Sequence, residues 1–249
     1  MDTERKPGIR LNKAVAATGF CSRRKADALI FAGRVQVNGC VELNPARDVL
    51  PDDAIRIDGR VLGGAKNFVY VLLNKPVRVV STVHDPQGRR TVVDFLPEHL
   101  RMRGLYPVGR LDYFSEGLLM LTNDGDLAYR LSHPSCHQKK KYEIVVRGQV
   151  DTVALRTMRA GMTLSEGDRL LPVAVKKNLD KTGNTILTLT LCQGINRQIR
   201  RMCRDLNLTI LRLKRVSQGI LTLGDLSPGH TRILEAGEIE GLMKSLKLR

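Results

Sequence analysis

Two polar segments, each set within apolar sequence, hold the residues best suited to chemistry. In the first, Arg110 and Asp112 stand two positions apart between runs of strand-like character. Residues at this spacing share a face of an extended chain, so a nearby cation could keep the carboxylate ionised. An ionised carboxylate can act as a nucleophile or transfer a proton. A structural Arg–Asp pair at a strand end gives the same pattern, and the pattern alone favours that simpler interpretation.

The second segment begins at Asn196 and contains a one-sided group of cations. On a helix, Arg197, Arg200 and Arg204 would lie on one face, and Asp205 is the single acid among them. A solvated charged face is the ordinary explanation for such a helix, but so one-sided a cluster favours an anion-binding face. The basic residues of this stretch are Arg197, Arg200, Arg201, Arg204, Arg212, Lys214 and Arg215.

The sequence lacks the motifs of several common enzyme classes. It contains no G-x-x-x-x-G-K-[ST] phosphate loop, no strand-linked G-x-G-x-x-G, no G-x-S-x-G and no H-E-x-x-H. The five cysteines form no C-x-x-C pair and fit separate thiols in a reducing cytosol. The nearest approach to a metal site, 133–137, offers too few ligands for zinc. We therefore expect chemistry without ATP, NAD, metal or any other cofactor.

The overall charge favours a polyanionic partner. The chain has 249 residues, with 41 Lys and Arg against 25 Asp and Glu, which is a formal net charge of +16. An apolar fraction of 42% is enough for a packed core and excludes disorder of the whole chain. Lys and Arg bind nucleic acid by displacing counterions from phosphates. A basic protein without such a partner would have the same net charge.

The sequence predicts no association with membranes. Its longest uninterrupted apolar run covers residues 68–73, whereas a membrane-spanning helix needs about 20 residues. The first ten residues lack the apolar region of a signal peptide. We therefore expect a cytoplasmic protein.

The first basic cluster lies within a predicted small domain. Between Arg5 and Arg34 there are eight basic residues and one acid, Asp27. The pattern predicts a short helix within the stretch 9–20, with Gly19 closing its C-terminus. It predicts a second helix over 23–32, with Ser22 as its N-cap. A hairpin with an Asn-Gly turn at 38–39 follows, and a further strand at 55–57. Three cations in the first turn of the second helix oppose its dipole, which suggests phosphate contact.

From residue 68 onward the pattern predicts strands with helices between them. The strands are 68–73, 118–122, 142–146, 171–179, 185–191 and 209–216. The helices are 91–96, 126–131, 151–159, 196–206 and 239–246. The glycines at 63 and 64 indicate a linker. We therefore predict an α+β fold, with a small domain over 8–60, a linker over 61–67 and a larger domain over 68–249.

Around both polar segments the sequence resembles the bacterial ribosomal-RNA pseudouridine synthases of the RsuA type, which include RluB, RluE and RluF. The most specific match, GRLDYFSEGLLMLTNDGDLAYRLSHP at 109–134, places Asp112 on the catalytic aspartate of that family. Other family motifs are present at 74–76 (N-K-P), 88–97, 140–142 (K-x-Y) and 196–202. Residues 10–59 look like the alpha-L RNA-binding domain, two helices and a hairpin, that precedes a mixed, mainly antiparallel catalytic domain in that family.

The resemblance implies that the chain isomerises a uridine in ribosomal RNA to pseudouridine after flipping the base out of its helix. It implies that Asp112 is essential and that the other site residues support it. Arg200 would pair with Asp112, Tyr142 would pack on the base, and Leu191 would line the same pocket. Lys140 belongs to the K-x-Y motif, and Arg110 is a candidate to brace the gap left by the flipped base. The resemblance leaves three roles open for Asp112, which are attack at C1′, attack at C6 and removal of a proton from the ribose.

The implied partner is ribosomal RNA. The motifs at 88–92 and 196–202 look more like the large-subunit branch, so 23S RNA is favoured over 16S. We expect a monomer, since the sequence has no coiled-coil heptads. The predicted RNA-binding residues are Arg10, Lys13, Arg23, Arg24, Lys25, Arg34, Arg197, Arg201 and Arg204. The competing hypothesis is a non-catalytic RNA-binding or ribosome-assembly protein in which Asp112 and Arg200 form only a structural pair.

One position departs from the family pattern. Two residues after the N-K-P proline, where the family usually has glycine, this chain has Arg78. A cation at this position would either alter the turn or add a contact to an RNA phosphate. The sequence does not choose between these two effects.

Overall fold

The computed structural model describes residues 8–63 and 67–248. These residues divide into two compact units, of which the first extends to Val69 and also includes His99–Gly104 and Asn123–Gly125. The second contains the remainder from Tyr70 onward. Arg5 and Lys6 of the basic cluster and Gly64 of the predicted linker lie outside the described residues.

Up to Val61, the first unit has the two helices and the hairpin that the sequence predicts, together with further short antiparallel strands. The first helix begins at Leu11 rather than at residue 9, because Ile9 and Arg10 pair as a strand with Val49 and Asp48. Ser22 caps the second helix by accepting a hydrogen bond from the backbone N–H of Lys25. Asn38 and Gly39 both have positive φ, which is the conformation of a type I′ hairpin turn. The elements are β1 (Ile9–Arg10), α1 (Leu11–Ala17), α2 (Arg23–Phe31), β2 (Val35–Val37), β3 (Cys40–Val41), β4 (Asp48–Val49), β5 (Ile55–Ile57) and β6 (Arg60–Val61). Strand β1 pairs with β4, and the other four form a sheet in the order β3-β2-β5-β6.

The rest of the chain contains the longer predicted elements close to their predicted positions, together with four short ones that the sequence did not predict, at 98–101, 106–107, 221–222 and 231–233. The elements are β7 (Tyr70–Lys75), α3 (Glu98–Arg101), β8 (Tyr106–Pro107), β9 (Glu116–Thr122), α4 (Gly125–Ser132), β10 (Lys140–Val146), α5 (Thr152–Ala160), β11 (Ala174–Leu179), β12 (Thr185–Leu191), α6 (Gln198–Asp205), β13 (Ile210–Gln218), β14 (Leu221–Thr222), β15 (Thr231–Ile233) and α7 (Ala236–Ser245). The predicted helix at 91–96 is a 3-10 turn over Val92–Phe95. The strand expected from residue 68 begins at Tyr70, and Phe68 is 42% exposed. No helix in the described ranges is long and apolar enough to cross a bilayer.

One mixed sheet organises the second unit. Its strand order is β11-β12-β10-β13-β9-β7-β15, with β14 paired to β13 and β8 to β9. Every pairing among these described strands is antiparallel except that of β13 with β9. Leu187, Leu189 and Leu191 of β12 are buried, as their alternation predicts. The predicted α+β class with a mainly antiparallel larger sheet is confirmed.

The parallel pair depends on a glycine. Gly117 of β9 lies opposite Arg215 of β13 and has a φ of +105°. A Cβ at this position would lie 2.2 Å from the carbonyl oxygen of Arg215. No side chain fits in this space, so only glycine lets the two strands approach each other so closely. This contact brings the loop before β9 next to the strand that follows α6.

Candidate active site

A cavity of about 330 Å³ opens in the second unit and collects side chains from distant parts of the chain. They come from the loop before β9, from β10, from the end of β12 and the segment after it, and from α6 and β13. All six active-site residues predicted from the sequence line it. They are Arg110, Asp112, Lys140, Tyr142, Leu191 and Arg200.

Lys75 holds the loop that carries Asp112. The lysine is the last residue of β7 and is completely buried. Its Nζ donates to the carbonyl oxygens of Pro76 at 2.9 Å, Asp112 at 3.2 Å and Ser115 at 2.8 Å. Burial lowers the pKa of Lys75 to about 8, although the nearby charge of Asp112 opposes that shift. Three carbonyls share one ammonium group, so both ends of the Asp112 turn are fixed.

Arg200 reaches the same turn from α6. Its Nε lies 3.6 Å from Oδ2 of Asp112, an ion pair longer than a hydrogen bond. Its Nη2 donates to the carbonyl oxygen of Phe114 at 2.8 Å and to Oγ of Ser115 at 3.0 Å. Burial lowers the pKa of Arg200, and the charge of Asp112 counteracts this shift. The structure thus brings together the pair that the sequence resemblance implies.

Strand β10 places Tyr142 and Lys140 on the cavity. Tyr142 is half-buried and lies opposite Arg215 in the pairing of β10 with β13. Lys140 lies opposite Leu191 of β12, which is buried. Burial and the charge of Arg215 both lower the pKa of Lys140. An aromatic face, an aliphatic side chain and two cations therefore adjoin one another beside Asp112.

Arg78 has a backbone conformation that favours glycine. Its φ is +62°, in the left-handed region, and its side chain is exposed. Its backbone N–H donates to the carbonyl oxygen of Tyr113 at 2.6 Å, next to Asp112. Glycine adopts this left-handed conformation without strain. A contact of the exposed Arg78 side chain with an RNA phosphate stays a prediction.

The predicted RNA-binding cations differ in their surroundings. In the first unit Lys13 is half-buried and the others are exposed or pair with acids, as Arg34 does with Asp58. On α6, both Arg201 and Arg204 form ion pairs. The acids that pair with them are Glu166, Asp168 and Asp205. Glu166 and Asp168 lie in the segment after α5, far from α6 in the chain. The charge pattern of α6 alone therefore could not predict these partners.

Arg197 differs from its neighbours on α6. It is exposed, and within the described part of the chain it forms no ion pair. It lines the cavity beside Asp112 and also a second depression of about 300 Å³, which Arg200, Arg201 and Arg204 share. Arg197 and Arg200 thus line both the cavity and this depression, whereas Arg201 and Arg204 are paired with acids. The anion-binding face stays a prediction.

Sequence reasoning gives no role to two buried cations at this site, Lys75 and Arg215. In the sequence, Lys75 stands out only as part of the N-K-P motif, and Arg215 only as a member of the basic cluster. A signal is present in both cases, because each ends or interrupts an apolar strand, where a charged residue requires partners. The identity of those partners depends on the tertiary structure.

Comparisons with known proteins identify the family of this chain. Residues 69–205 match the family of RNA pseudouridylate synthases, and residues 9–55 match the S4 domain. The chain is 39% identical over 234 residues to ribosomal large subunit pseudouridine synthase B of Bacillus subtilis, covering 94% of this chain and 95% of that protein. It is 34% identical over 241 residues to the dual-specificity RNA pseudouridine synthase RluF of Escherichia coli, covering 96% and 80%.

A solved structure described as a pseudouridylate synthase superposes with a TM-score of 0.67 at 27% identity, covering 94% of this chain and 99% of that one. The family match spans more than half of the chain, and the relatives align over nearly all of it. The resemblance found in the sequence is confirmed. The chain belongs to the RNA pseudouridylate synthase family, with an S4 domain preceding the synthase domain.

Proposed function

We propose that this enzyme isomerises a specific uridine of large-subunit ribosomal RNA, with Asp112 as its catalytic carboxylate. One observation carries the assignment of that residue: among the described residues that line the cavity, Asp112 is the one carboxylate. The cations that line the same cavity are Arg110, Lys140, Arg197, Arg200 and Arg215. A single acid among cations suits a reaction on an anionic polymer that needs one reactive carboxylate.

The reaction sets requirements that the cavity meets. The bond between C1′ and N1 must break, the uracil must turn, and C1′ must bond to C5, which loses its proton while N1 gains one. The base must first leave its stack, at a cost of a few kcal/mol. Attack at C1′, attack at C6 and removal of a ribose proton all require a carboxylate held in place beside the flipped nucleotide. Lys75 and Arg200 hold Asp112 in this way.

The remaining residues serve the flipped nucleotide in this proposal. Tyr142 stacks on the uracil, a contact worth about 1–3 kcal/mol in single-strand binding. Leu191 excludes water from the same wall, and Lys140 lies opposite it on β10. Arg110 is exposed in the loop before Asp112, where its side chain braces the gap that the flipped base leaves.

Family membership establishes RNA as the substrate class, and the choice of RNA rests on the relatives. The Bacillus subtilis relative is named for the large ribosomal subunit, which favours 23S RNA. We place the boundaries of the RNA-binding domain at residues 8–60. The exposed cations of this domain dock the RNA through its phosphates. A monomer acting in the cytoplasm, where ribosomal RNA is made in bacteria, fits this role.

The test is a mapping experiment. The full-length enzyme is incubated with unmodified 23S and 16S transcripts, and pseudouridine is located by carbodiimide-dependent stops of reverse transcriptase. We expect a new stop in 23S RNA. Asp112→Asn should give no stop while binding the transcript with nearly unchanged affinity in a filter assay, because it removes the charge and keeps the shape. A stop confined to 16S RNA would contradict the choice of substrate, and turnover by the variant would contradict the role of Asp112.

A further inference from the structure

Arg215 is a buried cation whose hydrogen-bonding capacity is mostly unused. The residue is 2% exposed. Its Nε donates to the carbonyl oxygen of Leu118 at 2.8 Å. Its Nη2 is completely buried and has no hydrogen-bond partner among the described residues. Leaving a buried cationic donor unpaired costs folding free energy, so its retention indicates a partner that is present only at another stage.

The position of Arg215 shows where that partner would lie. The residue lines the cavity that contains Asp112. It lies opposite Tyr142 on one side of β13 and opposite Gly117 on the other. The backbone of Arg215 is fixed by both neighbouring strands, and its Nε is fixed by Leu118. The guanidinium is therefore rigidly placed next to the ring on which the uracil stacks in the proposed function.

The cations of the cavity differ in depth. Arg110 and Arg197 are exposed, Lys140 and Arg200 are half-buried, and Arg215 is buried. Phosphates are strongly hydrated anions, and burying one is expensive, so the exposed arginines suit them best. The uracil base is neutral before the reaction and can enter the deepest part of the cavity at a smaller cost. Arg215 is therefore better placed to meet the base than the RNA backbone.

We propose that Arg215 is a further catalytic residue, which donates a hydrogen bond to a carbonyl oxygen of the flipped uracil. This inference rests on the proposed function and adds a second residue to it. When the C1′–N1 bond breaks, its electron pair leaves with the uracil and spreads over N1, O2 and O4. The sugar is captured by Asp112 or gives a proton to it, so charge is conserved. When C5 bonds to C1′, C5 loses its proton, N1 gains one and the base is neutral again.

The contribution of Arg215 is specific to the transition state. Attack of Asp112 at C6 would put charge on C5 and O4, so a hydrogen bond from Arg215 to O4 would serve this route as well. The guanidinium meets a neutral base in the ground state and a developing anion in the transition state. An interaction that strengthens in this way raises the rate of the chemical step rather than the affinity for substrate. The unpaired donor in the free enzyme is the pre-organised form of this group.

The experiment compares Arg215→Met and Arg215→Lys with a charge-matched control, Arg156→Met, in the full-length protein. Arg156 is exposed on α5 and does not line the cavity. Single-turnover rates and dissociation constants are measured on the RNA that the mapping experiment identifies. We expect Arg215→Met to lower the rate by about 10²- to 10³-fold while the dissociation constant hardly changes. Arg215→Lys should keep part of the rate, and Arg156→Met should match the wild type in both measurements.

A second arm changes the substrate and does not depend on how well Arg215→Met folds. The target uridine is replaced by 2-thiouridine or 4-thiouridine, whose sulfur accepts hydrogen bonds poorly. At one of the two positions, sulfur should slow the wild type by a larger factor than it slows Arg215→Lys or Arg215→Met. Intrinsic effects of sulfur on the chemistry cancel in that ratio, as in a double-mutant cycle. Equal slowing of the wild type and the variants at both positions would overturn the proposal.

The remaining outcomes separate this inference from the proposed function. If the wild type forms no pseudouridine, the proposed function fails. If the wild type turns over and Arg215→Met keeps its rate, only the role of Arg215 fails. If Arg215→Met weakens binding instead, and a neutral methylphosphonate beside the target uridine removes that difference, Arg215 binds a phosphate and the proposal is wrong.

Discussion

The Nζ of Lys75 donates to the backbone carbonyl of Asp112 over 3.2 Å, and two further bonds from the same nitrogen reach Pro76 and Ser115. Lys75→Met should therefore leave three carbonyls without a donor. We expect a loss of about 2–4 kcal/mol in the free energy of unfolding, measured by urea denaturation. Lys177→Met is the matched control, since Lys177 donates to one carbonyl, that of Val150, from an exposed position. Equal stability of the two variants would contradict this role for Lys75.

The pKa of Lys75 predicts a dependence of stability on pH. Burial lowers that pKa from its ordinary value of 10.5 to about 8 in the folded protein. Between these values the unfolded chain binds more protons at Lys75 than the folded chain does, so this group makes the free energy of unfolding rise with pH. The stability difference between the wild type and Lys75→Met should increase from about pH 8 to about pH 10, measured by urea denaturation. A constant or shrinking difference would show that Lys75 is not buried as a charged group.

Gly117→Ala should separate the parallel strands. The alanine Cβ would lie 2.2 Å from the carbonyl oxygen of Arg215, and a φ of +105° disfavours any side chain. We expect a loss of more than about 3 kcal/mol and a lower melting temperature. Gly183→Ala isolates the effect of φ, because Gly183 has a φ of +82° and a Cβ added there would meet no atom within 4 Å. That control should lose about 1 kcal/mol, and a similar loss in both variants would refute the close approach.

Arg78 separates backbone strain from charge. Arg78→Gly should raise the free energy of unfolding by up to about 1 kcal/mol, because glycine adopts a φ of +62° without strain. Arg78→Gln keeps the strain and removes the charge. If the exposed side chain contacts an RNA phosphate, both variants should weaken RNA binding equally, and both should reduce the salt dependence of binding. Unchanged affinity in both would leave Arg78 without an RNA contact.

The cations that begin α2 should contribute to docking without taking part in the chemistry. Replacing Arg23, Arg24 and Lys25 by Gln removes three exposed charges. The slope of log affinity against log salt should become shallower by about 2–3, while the single-turnover rate at saturating enzyme stays the same. The matched control replaces three exposed cations of the second unit by Gln, namely Arg156, Lys176 and Lys181. An equal change of slope in both variants would show that only net charge matters.

Local features of this protein were predictable from the sequence because their causes lie within a few residues. Ser22 caps α2 through the N–H three residues later, and Asn38-Gly39 closes a hairpin through its own φ values. The alternating leucines of β12 are buried as their period of two requires. Asp112 could be identified because the motif around it is continuous in the chain. These signals need no knowledge of the tertiary structure.

The contacts that shape the site join residues that are far apart in the chain. Lys75 and Ser115 are 40 positions apart, and Arg200 and Ser115 are 85. Glu166, one of the two acids that pair with Arg201, lies 35 positions before it. Sequence patterns do not encode such partners, because they depend on which strands pair and in what register. The sequence by itself predicted the longer elements, the family and the candidate carboxylate. Only the tertiary structure decided which cations are paired with acids, which hold Asp112, and that Arg215 is buried in the cavity with an unpaired donor, because these contacts depend on strand pairing and register.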